Sequence, residues 1–196
     1  MKKTILIDVD EVICQNHLFP WINEYLKKIG RPTYKSVEEI TSIRSQFFVF
    51  PDEEDRNKFF DYYVHLDSYK NIPPVEGAVE AVKKLHEIHD VYLLTACIHS
   101  YTPRVREFSR EFADKFHWIL DNFPFFPPDK IIMSNKKHLF KADVIIDDRI
   151  GFLDGDYPTK ILFTARHNKT MTKEELDKIG AVRANNWAEV LRILKN

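Results

Sequence analysis

Cysteine, glycine and long apolar runs are scarce in this sequence, and each scarcity removes a class of protein. Only Cys14 and Cys97 are present among 196 residues, too few for a disulfide framework or a structural zinc site. Both lie near the polar strand ends discussed below, which leaves a redox role open beside the plainer reading of two small buried hydrophobes. Five glycines and ten prolines argue against a disordered, collagen-like or linker-rich chain. No apolar run approaches the roughly 18 residues of a membrane span; the longest, Val91 to Ile98, contains Thr95. Met1-Lys2-Lys3 before Thr4-Ile5-Leu6-Ile7 imitates the start of a signal peptide, but Asp8, Asp10 and Glu11 interrupt the run too early. The expectation is a cytoplasmic protein with no membrane partner. Lys+Arg at 29 against Asp+Glu at 30 gives a net charge of −1, without the basic footprint of a protein that binds nucleic acid polymers.

What remains is a chain with 44% hydrophobic and 30% charged residues, enough for one domain with a modest insertion. Short apolar runs read as buried strands: Thr4–Asp8, Val91–Thr95, Lys130–Met133, Asp143–Asp147 and Lys160–Phe163. Between them lie helical patterns. One spans about His17–Ile29 and is closed by Gly30. A second carries Val75, Ala78, Val79, Val82 and Leu85; a third spans about Pro103–Leu120, and the last Trp187–Leu194. Alternating strands and helices predict an α/β fold with a central parallel sheet. Residues 31–71 break the pattern. They are rich in aromatics and charge without strand alternation, and read as a small, mostly helical insertion.

In open parallel sheets, ligands bind beyond the carboxyl ends of the strands. The first predicted strand ends Asp8-Val9-Asp10, the second in Thr95, the fourth in Asp147-Asp148, and Lys136-Lys137 follows the third. Each piece has a plain alternative: a helix cap or turn for the aspartates, β-propensity for Thr95, a solvated surface for the lysines. Brought to one sheet edge, the carboxylates would repel and call for a divalent cation, and hard oxygen ligands without His or Cys favour Mg²⁺. One aspartate could then attack phosphorus, a second could shuttle a proton, and the lysine and threonine could hold phosphoryl oxygens.

That ordered set resembles the haloacid dehalogenase (HAD) superfamily of phosphohydrolases. Asp8-Val9-Asp10-Glu11-Val12, Leu93-Leu94-Thr95, Lys137 and Ile145-Ile146-Asp147-Asp148-Arg149 look like its four motifs in order. A narrower similarity is to the 5'(3')-deoxyribonucleotidases. It is carried by Pro74–Val82, Ala142–Arg149, Leu162–Asn168 and Trp187, and by the spacing from Lys137 to Asp147. The resemblance implies a HAD-like, Rossmannoid three-layer fold, with residues 1–14 and 72–196 as core and 15–71 as a helical cap inserted after motif one. It further implies a Mg²⁺-dependent phosphomonoesterase acting on (deoxy)nucleoside 5'-, and by the family name also 3'-, monophosphates through an aspartyl-phosphate. Asp8 would be the nucleophile and Asp10 the acid and base. Asp8, Asp10 (by its carbonyl), Asp148 and Asp147 would serve the metal, Asp147 through water or a hydrogen bond. Thr95, Ala96 and Lys137 would face the phosphate, and Phe47, Phe48, Val49 and Tyr63 the base. The analogy leaves room for a homodimer.

The chain departs from the family pattern at four places. Glu11 stands where glycine is usual, Asn16 where an aromatic is usual, Lys136 where an acid precedes the motif-three lysine, and Ala96 where a serine adds a phosphate donor. These departures keep open a HAD phosphatase for another small phosphoester, such as a ribonucleotide or sugar phosphate. They also keep open a binding module without turnover, against which the intact Asp8 and Asp10 argue. The aromatics of the insertion could equally form its own core, and the charge run Asp52–Lys58 reads as a solvated helix face. His99 could reach a substrate phosphate and Arg149 could brace motif four. His65, His86, His89, His117 and His138 show no metal-ligand spacing.

Overall fold

The computed structural model describes residues 1–42, 44–96 and 107–195. Six strands form one sheet in the order β3-β2-β1-β4-β5-β6: β1 (Thr4–Ile7), β2 (Asp90–Thr95), β3 (Ile131–Met133), β4 (Val144–Asp147), β5 (Thr159–Phe163) and β6 (Ala181–Ala184). Every pairing is parallel. The fold class is therefore the expected α/β one. The apolar runs of the sequence mark β1 to β5 but not β6, an edge strand whose short Ala-Val-Arg-Ala run has a single β-branched residue, Val182, itself exposed.

The strands are apolar because both faces are covered. Ile5, Ile7, Val91, Leu93, Val144, Ile146, Ile161 and Phe163 point to one face. There they meet α4 (Ala78–Ile88), α5 (Ser109–Asn122) and α7 (Trp187–Lys195) through Val82, Leu85, Trp118, Ile119, Trp187 and Val190. Leu6, Leu94, Ile145 and Leu162 point the other way, under Leu153, Tyr157 and Leu176, the last from α6 (Lys173–Asp177). The expected helix at Pro103–Leu120 appears as α5; Cys97, His99 and the start of that stretch lie outside the described residues. No helix among the described residues is long and apolar enough to cross a membrane.

Residues between β1 and α4 form α1 (Leu18–Lys28), α2 (Ser45–Val49) and α3 (Glu53–Tyr63). Asp52 caps α3, accepting from the Glu54 and Asp55 N–H groups, and three acidic residues in the first turn favour the helix dipole. The run Asp52–Lys58 is mostly exposed. Leu18, Ile22, Leu26, Ile40, Phe50 and Phe59 pack into a cluster of their own, joined from outside the insertion by Phe108. The two ends of the insertion meet, with the Gln15 N–H donating to the Pro73 carbonyl at 3.2 Å and the Val75 N–H to the Ile13 carbonyl at 2.8 Å.

Trp187, 1% exposed, ties α7 to the loop after β1. Its indole N–H donates to the Val12 carbonyl at 3.0 Å, and its ring lies 5.6 Å from that of Phe163. We expect Trp187→Ala to cost about 3–5 kcal/mol, as large-to-small changes in packed cores do. Trp187→Phe, which mainly strands the Val12 carbonyl, should cost about 1–3 kcal/mol. Urea unfolding checks both, and a loss under about 1 kcal/mol for the alanine variant would contradict this role for the indole.

Candidate active site

The strand order reverses direction between β1 and β4, which places a crevice at their carboxyl ends. Asp8 follows β1 and Asp147-Asp148 ends β4. The Asp8 N–H donates to the Ile146 carbonyl at 2.9 Å, so the two tips are in register. Between them lies the buried ammonium of Lys137, 2.7 Å from Asp8 Oδ1 and 2.6 Å from Asp147 Oδ2. A short 3-10 turn, Lys137–Leu139, delivers it, and the Tyr157 hydroxyl holds the Lys137 carbonyl at 2.8 Å. Burial alone would lower the Lys137 ammonium, but Asp147 and Asp8 outweigh it and raise it above its usual range. Asp147 Oδ1 also accepts the Arg149 N–H at 2.9 Å.

One lysine does not neutralise this corner. Burial first, then the charges of Asp147, Asp8 and Glu11, push the Asp148 carboxyl well above the usual carboxylate range. Its Oδ1 is buried without a hydrogen-bond partner. Asp8, Asp147 and Asp148 each offer a carboxylate oxygen, and these lie within 4.8 Å of one another. An orphaned acceptor in an all-oxygen donor set fits a hard divalent cation such as Mg²⁺. Glu11, Asp148 and His167 meet the same distance criterion, but Arg166 lies 3.1 and 3.2 Å from the two oxygens of Glu11.

Asp10 faces different partners. Its carboxylate takes the Lys115 ammonium at 2.7 Å and the Tyr69 hydroxyl at 2.6 Å, with His17 Nδ1 at 3.4 Å. Burial would raise its carboxyl, but Lys115 and then His17 hold it well below the usual range. Lys115, 1% exposed on α5, also donates to Thr95 Oγ1 at 3.1 Å and to the Ala96 carbonyl at 2.9 Å. It thereby joins the tip of β2 to that of β1. His17 stacks on Tyr69 at 4.5 Å, with Nε2 3.7 Å from Glu111. Burial lowers its imidazolium, and the carboxylates of Asp10 and Glu111 more than reverse that, to about 9.

The structure thus brings together Asp8, Asp147, Asp148 and Lys137, and sets Asp10, Thr95 and Ala96 around Lys115. The insertion residues divide. Val49 and Tyr63 lie in the helical unit's own core, Tyr63 stacked on Phe59. Phe47 and Phe48 are 44% and 45% exposed, and the Arg56 guanidinium lies 4.4 Å from the Phe47 ring. Cys14 is fully buried.

A sequence model of the 5' nucleotidase, deoxy (pyrimidine), cytosolic type C protein family matches residues 2–196. The chain belongs to this family. It is 28% identical over 196 residues to the 5'(3')-deoxyribonucleotidase of Bacillus subtilis, covering 99% of each chain. It is 34% identical over 189 residues to a Staphylococcus aureus protein provisionally given the same name, covering 96% of this chain and 93% of that one. Among solved structures, a haloacid dehalogenase-like hydrolase from Streptococcus pneumoniae superposes with a TM-score of 0.66 at 13% identity, covering 98% of each chain. By family the chain is a phosphoric monoester hydrolase.

Sequence reading missed Lys115, Tyr69, His17 and Glu111, which reach the strand tips from helices and loops that no strand end marks. A lysine in the middle of the α5 pattern was the one available signal. Because the His17 imidazolium is raised by its neighbours, its contribution to stability is complete below its unfolded value near 6.5 and is lost as pH rises through about 9. We expect the stability gap between the wild type and His17→Phe, read by urea unfolding, to be flat between about pH 5 and 6 and to narrow from pH 7 to 10. A gap that is flat or widens over that range would contradict the pairing.

Proposed function

We propose that the protein is a Mg²⁺-dependent phosphatase that releases inorganic phosphate from deoxynucleoside 5'- and 3'-monophosphates through a phosphorylated Asp8. The observation that carries this reading is the buried Asp8 at the β1 tip, between Lys137 and the Asp147-Asp148 pair. The substrate class rests on family membership and on the names of the relatives.

Asp8 attacks phosphorus, and the bond from phosphorus to the ester oxygen breaks. The departing alkoxide takes a proton from Asp10. Lys115 and His17 keep Asp10 ionised at rest, which suits its work as a base; in the acid step the proton passes from His17 through Asp10 in one movement as the alkoxide departs, so protonated Asp10 need not accumulate. Water then attacks the phosphorylated Asp8, giving a proton to Asp10 and from there back to His17. Inorganic phosphate leaves and the carboxylate of Asp8 is restored. Lys137 and the Thr95 hydroxyl hold phosphoryl oxygens. Mg²⁺, held by Asp8, Asp148 and the Asp10 carbonyl with Asp147 behind them, would supply positive charge to the transferring phosphoryl group. Residues 15–71 act as a cap in which the exposed Phe47 and Phe48 shape the base site, while Val49 and Tyr63 belong to the cap's own core; an aromatic stack there is worth about 1–3 kcal/mol.

Phosphate release should be measured over deoxy- and ribonucleoside 5'- and 3'-monophosphates and sugar phosphates. A preference for deoxynucleotides, dependent on Mg²⁺, is expected, with Asp8→Asn at least ~10³-fold slower. An active Asp8→Asn variant would remove the nucleophile assignment, and turnover of sugar phosphates alone would remove the cap reading. Independently of activity, Mg²⁺ should raise Tm more at pH 7.5 than at pH 5, because the crowded Asp148 carboxyl binds protons in competition with the metal. No rise at either pH would argue against the metal site.

A further inference from the structure

The Glu11–Arg166 pair is more than a substitution in motif one. Glu11 holds φ at 58°, a left-handed backbone that a non-glycine residue adopts at a cost. Its carboxylate meets Arg166, whose side chain is 2% exposed, with Nε at 3.1 Å and Nη2 at 3.2 Å. The other donors of Arg166 all reach into the insertion. Nη1 donates to the carbonyls of Ile40 and, at 2.6 Å, Ser42; Nη2 donates to Ser45 Oγ at 2.8 Å.

Ile40 and Ser42 lie just before α2, the helix carrying Phe47 and Phe48, and Ser45 is its first residue. On the core side, Arg166 belongs to a loop bound to the metal-site segment: Asn168 Nδ2 donates to the Asp148 carbonyl at 2.8 Å, and His167 Nε2 lies 3.1 Å from it. A second link crosses the same seam, with Lys169 2.6 Å from Glu38. The hinge of the insertion, Gln15 beside Pro73, is a separate attachment. The guanidinium thus adds a fixed point on this side of the insertion to the attachment at its covalent ends.

We infer that Arg166, with Glu11 as its counter-charge, is a specificity-determining positioning residue: it sets where residues 40–49 and the Phe47-Phe48 pair stand relative to the aspartates. This rests on the cap reading above. It concerns the fit of the nucleoside and not the phosphoryl chemistry, because Arg166 touches none of Asp8, Asp10 or Lys137 in the contacts described. Arginine suits the task because its planar fork serves a carboxylate and several carbonyls at once, which lysine cannot do.

The test compares wild type, Arg166→Met and the double variant E11Q/R166M, which removes both charges at near-constant volume and so keeps a folded protein if the single change leaves a buried carboxylate uncompensated. Hydrogen exchange reads the clamp without any substrate. The amides of residues 38–49 should exchange roughly tenfold faster or more in both variants, with β1 and β4 unchanged. Kinetics with Mg²⁺ should show kcat/KM for a deoxynucleoside monophosphate falling about tenfold, mainly through KM, while p-nitrophenyl phosphate hydrolysis falls less than about threefold. Unchanged exchange at 38–49 overturns the inference, and so does an equal fall for both substrates, which is the mark of a merely structural role. A wild type indifferent to the nucleoside overturns the cap reading instead, and the exchange result tells the two failures apart.

Discussion

Like charges held together in a dry place govern this molecule. Asp8, Asp147 and Asp148 converge because β1 and β4 are parallel neighbours whose tips fall in register, and carboxylates so close repel strongly where little water screens them. A cluster of this kind costs stability and persists only if something of opposite charge recovers that cost. Lys137 recovers part of it, and Asp148 keeps a buried oxygen without a hydrogen-bond partner. The site is therefore built in a state of unmet demand, which the proposed cation would satisfy.

Two buried lysines and a buried arginine divide the work around that corner. Lys137 serves Asp8 and Asp147, Lys115 serves Asp10 and the β2 tip, and Arg166 serves Glu11 and the insertion. Each comes from a different part of the chain: the turn after β3, helix α5, and the loop after β5. Two aspartates separated by one residue are thereby given opposite surroundings. Asp8 faces the other carboxylates of the metal corner, whereas Asp10 is enclosed by Lys115, His17 and a tyrosine hydroxyl. The division of roles proposed above, attacking group and proton carrier, rests on that asymmetry.

The parts legible in the sequence were those that depend on strand ends. Asp8, Asp147-Asp148, Thr95 and Lys137 could be found because a buried parallel strand announces itself as an apolar run, and whatever polar residue follows stands at the functional edge. Lys115, Tyr69, His17 and Arg166 carry no such mark. Their position depends on how helices and the insertion pack, and a lysine or arginine destined for burial looks like any surface one until its carboxylate partner is known. The same limit hid β6, whose pairing with β5 rests on backbone hydrogen bonds and on Arg183 anchoring to Asn168 and Met171, not on a hydrophobic pattern. In the insertion, aromatic richness foretold a packed cluster but not which rings would fill it.

The bond from the Trp187 indole to the Val12 carbonyl spans 175 residues, and this bears on biosynthesis. The loop bearing Asp8 emerges from the ribosome long before the helix that buttresses it. A nascent chain lacking α7 would hold the aspartates of motif one on an unsupported loop, beside a sheet with one face partly bare. Assembly of the catalytic corner is thus deferred until translation has passed α7, so a prematurely arrested chain would expose apolar sheet to chaperones and proteases before it could act as an enzyme.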